Sequence, residues 1–246
     1  RPCLRQIVSG TICADLLDYV KRDNYFCGLS YRFDERLFHY FRIEEDQLVM
    51  TLQQHGLFRH DALSEITHLL RIRYVLTERV YYHHTKIATG AMVSKALEAA
   101  VRLGFRQEML YELTDQTLLH VLGERYGHEA GVRFLLDSLA ARRIYKRCYT
   151  LAREIEPTEQ ARLVWQFHQN AGGTREAAEQ EIAQRLGIAD HDIIIYCPPA
   201  KMALKEAEVP VLGPSGRIQQ LTEFNEQEIE VLKDKHRALW RFYAFI

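Results

Sequence analysis

Apolar positions recur with a helical period over most of the first 145 residues and lose that regularity afterwards. In residues 12–27, Leu16, Leu17 and Val20 lie on one side and polar residues on the other, which predicts a helix. Phe33, Leu37, Phe38 and Phe41 predict another over 34–42, and the alternation in 47–54 predicts a strand punctuated by Gly56. From Asp61 to Leu103 the only Gly or Pro is Gly90, and Leu63, Ile66, Leu69, Leu70, Val75, Leu76, Val80 and Ile87 keep helical spacing over much of the stretch. It predicts one long helix or two nearly continuous ones, stopped at Gly104. Helices over 114–127 and 128–144 follow.

Beyond Ile144 the pattern mixes. Residues 146–154 and 192–197 predict strands, the second of a buried type ended by Pro198-Pro199. Residues 159–170 and 174–187 predict helices joined by Gly172-Gly173, and Pro210, Gly213, Pro214 and Gly216 predict a β-hairpin within 207–223. A final helix is expected from Asn225 to Ile246. The expected fold is mainly α: a helical domain over 1–145 followed by a smaller α+β lobe over 146–246.

Composition narrows the function classes. A net charge of -1 gives no whole-molecule field for nucleic acid or an anionic membrane. No apolar run approaches the ~18–20 residues of a membrane span, and the start carries no signal-peptide pattern. Cys3, Cys13, Cys27, Cys148 and Cys197 are odd in number and widely spaced, without a Cys-x-x-Cys. That argues against a disulfide framework or zinc knuckle and for a reducing, cytoplasmic setting.

Three stretches could carry chemistry. On a helix, Asp15, Asp18, Tyr19, Arg22 and Asp23 share one face, a stripe able to hold a metal, a sugar and a phosphate. From spacing alone the stripe reads first as a solvated face with an Asp18–Arg22 ion pair. Residues 70–86 interleave cations and aromatics, and Arg73 and Tyr81 lie roughly on one face, as suits phosphate and sugar contacts or internal polar pairing. Arg142, Arg143, Lys146 and Arg147 form a basic cluster, which reads as an anion or partner patch or as a solvated helix end. His83-His84 point about 100° apart on a helix and suit one ion poorly. His60-Asp61 and His191-Asp192 read as a helix entrance and a turn.

Taken together, Ile7-Val8-Ser9-Gly10, Ala14 to Asp23, Gly28-Leu29, Phe33-Asp34, Arg79 to Lys86, Ala91-Met92 and Leu113-Thr114-Asp115 resemble the HD-domain phosphohydrolases. The likeness is nearest to the branch containing the SAM-and-HD-domain dNTP triphosphohydrolase and its bacterial relatives. It covers about residues 5–150 well and 190–246, from Ile195-Tyr196-Cys197 through the hairpin, more weakly. The resemblance implies metal-assisted hydrolysis of a nucleotide and a homo-oligomer. A divalent ion (Mn, Mg, Fe, Ni or Zn) would be held by a His, a His-Asp pair and a distant Asp, which Asp15 matches. Tyr19 would contact phosphate, Asp23 the sugar 3′-hydroxyl, Arg73 phosphate, and Tyr81 would pack on the sugar and disfavour a 2′-hydroxyl.

Leu16 stands where that branch has a phosphate-binding Lys, Thr77 where it has a His, and Tyr82 where it has a Gln. Fewer phosphate donors keep a monophosphate or another phosphoester open as substrate. The first His and the His-Asp pair are expected before Arg1. The chain therefore reads as the C-terminal portion of an HD phosphohydrolase, itself inactive, with the missing front of the same polypeptide as its partner. The alternative is a non-catalytic nucleotide-sensing or assembly module.

Overall fold

The computed structural model describes residues 2–151, 155–200 and 208–246. Contacts divide the chain into two compact units, each made from separate stretches of sequence. The first takes residues 2–81 and 208–239; the second takes 82–151, 155–200 and 240–246. This differs from the linear cut at residue 145. The hairpin and helix of residues 210–237 bury Val211, Leu221, Ile229 and Leu232 in the same core as the front helices.

The fold is mainly α, with small sheets in both units. In the first, α1 (Pro2–Ser9) and α2 (Ala14–Phe26) precede a 3-10 turn at Glu35–Tyr40. Strands β1 (Phe41–Glu44), β2 (Gln47–Thr51), β3 (Gln53–Gln54) and β4 (Leu57–Phe58) lead into α3 (His60–Leu76). The helix expected over 34–42 is thus a 3-10 turn running into a strand. β1 and β2 pair antiparallel across Glu45-Asp46, both at positive φ, as a two-residue hairpin turn requires. β2 continues parallel to β7 (Pro210–Leu212), which turns back as β8 (Ile218–Gln220), giving the order β1-β2-β7-β8. The predicted hairpin is therefore present, with position 207 outside the described residues. Helix α9 (Glu226–Arg237) closes the unit, tied to α3 by an Arg71–Glu228 ion pair.

Helix α3 carries the first core. Ile66, Leu69, Leu70, Ile72 and Leu76 are all fully buried and meet Leu16, Leu17 and Val20 of α2. The long helical stretch is two helices: α3 runs into a π turn at Thr77–Tyr81, and α4 (His84–Arg102) starts after His83. His83 caps α4, its Nδ1 accepting the Thr85 N–H, and Gly104 ends it at φ +100°.

The second unit also holds α5 (Asp115–Tyr126), α6 (Ala130–Ala140), β5 (Arg147–Thr150), α7 (Pro157–Leu163) and α8 (Thr174–Leu186). A π turn at Val164–His168 follows α7. The part of the first predicted strand at 152–154 lies outside the described residues. Strands β6 (Ile194–Tyr196) and β9 (Tyr243–Phe245) complete a sheet ordered β5-β9-β6, antiparallel throughout. The helix expected to reach Ile246 stops at Arg237, because Trp240 and residues 242–245 are buried on successive positions, as a central strand requires. Among the described residues no helix is long and apolar enough to cross a membrane.

Candidate functional site

Helix α2 buries Leu16, Leu17, Val20 and Asn24, exposes Asp15, Asp18 and Arg22, and leaves Asp23 and Tyr19 half-buried, with the Tyr19 ring packed against the core. Asp15 sits in the first turn, where the helix dipole favours a carboxylate. Arg22 pairs with Asp18 one turn back, and its Nε lies 3.3 Å from Asp23 Oδ1.

What α2 cannot supply comes from 58 residues further on. The Tyr81 hydroxyl donates to Asp23 Oδ2 at 2.6 Å, and the Tyr81 ring meets Tyr19 edge-on with centroids 6.1 Å apart. Tyr81 is the last residue of the π turn. A π turn adds one residue to the helical cycle and is common where a side chain must be re-aimed. Inside it the Thr77 hydroxyl bonds back to the Arg73 carbonyl at 2.8 Å. Arg73, from the last turn of α3, lies near enough to Tyr19 and Tyr81 for its charge to act on both phenols.

Burial sets the electrostatics. It pushes the Tyr19 phenol up, against the pull of Arg73 and with the help of Asp15 and Asp23. It pushes Tyr81 up as well, reinforced by the hydrogen bond to Asp23. Burial lowers the Arg73 pKa, and the nearby phenols of Tyr19 and Tyr81 oppose it; a guanidinium stays charged regardless. Asp15, Tyr19, Asp23, Arg73 and Tyr81 therefore form one neighbourhood within the first unit, in which phenol hydroxyls and a cation face a fixed carboxylate.

Tyr81→Phe should cost about 1 kcal/mol, the net worth of a typical hydrogen bond, with water replacing part of the loss. Both phenols titrate higher folded than unfolded. Their contribution to stability is complete below the ordinary phenol value near 10 and is lost as pH rises past it. Denaturant midpoints followed from pH 8 to 11 should fall more steeply in the parent than in Tyr81→Phe; equal slopes would show that Tyr81 is not held.

The metal expected from the resemblance does not fit these residues alone. Among the described residues no three His, Cys, Asp or Glu side chains converge to hold an ion, and Asp15 is a single exposed carboxylate. Asp61 pairs with Arg59 and the His60 ring packs on Phe58. The His83 and His84 rings lie 4.3 Å apart, with His83 serving as the cap of α4. His191 and Asp192 sit in a 3-10 turn before β6.

The basic cluster belongs to the second unit. Arg142 ends α6 at φ +55°, and the Arg142 and Arg143 N–H groups bond back to Leu139 and Ser138, a left-handed helix cap. Lys146 pairs its backbone with Ile246, and the Arg147 guanidinium stands over the Tyr243 ring. All four side chains are exposed. Burial lowers the pKa of His84, as do His83, Arg147 and Lys146, so the basic surface extends to α4.

A model of the family described as the HD associated region matches residues 34–246. The chain belongs to that family. Over 99 residues it is 30% identical to the uncharacterised protein YwfO of Bacillus subtilis strain 168, an alignment covering 39% of this chain and 21% of that one. Its fold is similar to that of a phosphohydrolase from Bacteroides thetaiotaomicron, with a TM-score of 0.65, 18% identity, and 98% and 63% of the two chains covered. A hypothetical protein from Aquifex aeolicus gives a TM-score of 0.63 at 17% identity, over 99% and 56%. The chain thus spans less than two thirds of each of these relatives, and at such identities the structural likeness concerns the fold.

Proposed function

We propose that this chain is part of a metal-dependent HD phosphohydrolase and grips the sugar and phosphates of a nucleotide, most closely a deoxynucleoside triphosphate. The observation that carries the reading is the convergence of Tyr81, Asp23, Tyr19 and Arg73 from two distant stretches. Asp23 is an acceptor held in place by Tyr81 and Arg22, as a sugar hydroxyl needs. The Arg73 guanidinium and the protonated Tyr19 phenol are donors suited to phosphate oxygens. Tyr81 presents a ring to the sugar. Membership of the HD associated region family supports the reading, and the name of the Bacteroides relative agrees with it.

Asp15 would supply one ligand to a divalent ion, and among the described residues no group of three His, Cys, Asp or Glu side chains completes the set. That same shortage favours a second reading of the chain by itself: a nucleotide-binding or assembly module without catalysis.

Binding of dATP and dGTP to the 246-residue chain, measured by calorimetry, tests the proposal. Asp23→Asn and Arg73→Ala should each weaken binding by about tenfold to a hundredfold, the worth of a charged hydrogen bond. Circular dichroism checks that the variants fold. Binding unchanged in both folded variants would overturn the reading.

A further inference from the structure

The second unit contains a cavity of about 410 Å³ that neither the site above nor the basic cluster uses. Helix α4 forms one wall, α8 another, and β6 with the π turn at Val164–His168 forms the rest. Its size lies within the range of small-molecule sites, about 300–1,000 Å³.

Gly90 is the first sign that the space is kept open. A glycine inside a helix is less stable than alanine, because it loses more backbone freedom on folding. Turns and close contacts usually explain such a residue. Here φ is not positive, and a Cβ built on Gly90 would meet no atom within 4 Å. Neither backbone conformation nor crowding calls for glycine, and the room it leaves adjoins the cavity it lines.

The charges point to an anion. Lys95 is committed to Glu179 at 2.6 Å and to the Ile193 carbonyl at 2.9 Å. Arg175 gives one nitrogen, Nη2, to both Glu98 and Glu176, so its Nε–H and Nη1–H groups are outside those bonds. Lys86 makes no ion pair or hydrogen bond among the described residues, so it offers an incoming anion a cation that no carboxylate holds, whereas Lys95 and Arg175 are already balanced by Glu179, Glu98 and Glu176. Phe167 and the half-buried Tyr196 add flat apolar surface, and burial holds the Tyr196 phenol protonated and able to donate, with its pKa pushed up to about 12.

We propose that this cavity binds a small organic phosphate monoester, its flat apolar group lying against Phe167 and Tyr196 and its phosphate meeting Lys86 and Arg175. The phosphate supplies the acceptors that a point charge and a guanidinium fork recognise. The ring supplies the apolar area that inorganic phosphate lacks.

Phenyl phosphate and inorganic phosphate are the probes, titrated by calorimetry into the 246-residue chain and its variants. Phenyl phosphate should bind with a Kd of about 1 mM or tighter, and inorganic phosphate at least about tenfold more weakly. Gly90→Leu, whose Cβ meets no atom within 4 Å and whose branch extends toward the opening, should weaken phenyl phosphate binding by about tenfold or more while the melting temperature stays level or rises. Lys86→Ala should weaken both probes, and Arg73→Ala, in the other unit, should leave phenyl phosphate unaffected. Wild-type affinity in Gly90→Leu, equal affinity for the two probes, or no saturable binding would each overturn the proposal. A change on Arg73→Ala would do so as well, since it would place the probe in the first unit.

Discussion

Replacing Glu179 by Ala should destabilise the second unit by about 3–5 kcal/mol, toward the lower end because water can enter from the adjoining cavity. Glu179 is only 5% exposed and joins three elements. Its Oε2 accepts from Lys95 of α4 at 2.6 Å, and its Oε1 accepts from the Ile195 N–H of β6 at 2.8 Å. Truncation strands a mostly buried ammonium and an unpaired backbone donor in one stroke, and each is expensive without a partner. Denaturant unfolding followed by far-ultraviolet dichroism gives the number, and a loss under 1 kcal/mol would mean that Glu179 is not what ties α8 to α4 and β6. The double variant Lys95→Met/Glu179→Leu should recover the part of the loss due to the stranded ammonium, since exchanging both charges for apolar groups removes the desolvation cost along with the attraction, while the Ile195 N–H stays without its acceptor.

The second large effect belongs to α3. Leu69→Ala should cost about 2–5 kcal/mol, combining lost transfer energy with the cavity left behind. Leu69 is 0% exposed, and its helix packs against both α2 and α9. Leu57→Ala, at a position 74% exposed, should fall within about 0.5 kcal/mol of the parent. The contrast in denaturation midpoints checks the assignment of the core, and equal effects would refute it. Because α3 also carries Arg73, the Leu69 variant should weaken nucleotide binding more than Leu57→Ala does.

The amphipathic helices were legible because their burial is periodic: α2, α3, α4, α5 and α8 fall where apolar spacing places them. The failures have physical causes. Phe33, Leu37, Phe38 and Phe41 satisfy a 3.6-residue period as well as a 3-10 turn followed by a strand, and only the pairing of Phe41–Glu44 with Gln47–Met50 decides between them. Residues 239–245 are apolar at nearly every position, so their period carries no information. Strand neighbours on both sides make Tyr243–Phe245 extended. The shared face on α2 follows from spacing within one helix. The bond from Tyr81 to Asp23 does not, because it spans 58 residues and depends on a π turn that no apolar pattern announces. The interleaved units were hidden for the same reason: local pattern says nothing about which distant segment completes a sheet.

During synthesis this chain must wait. The first unit's sheet lacks β7 and β8 until residues 210–220 emerge, and the second unit's sheet lacks its middle strand until residues 243–245 do. At about 5–20 residues per second, a nascent chain spends seconds with the edge of β2 open and with β5 and β6 unpaired. Open strand edges recruit other strands. Low temperature, dilute expression or a holding chaperone should therefore raise the soluble yield of this protein, and deletion of residues 240–246, which removes the middle strand of the second sheet, should send it to inclusion bodies.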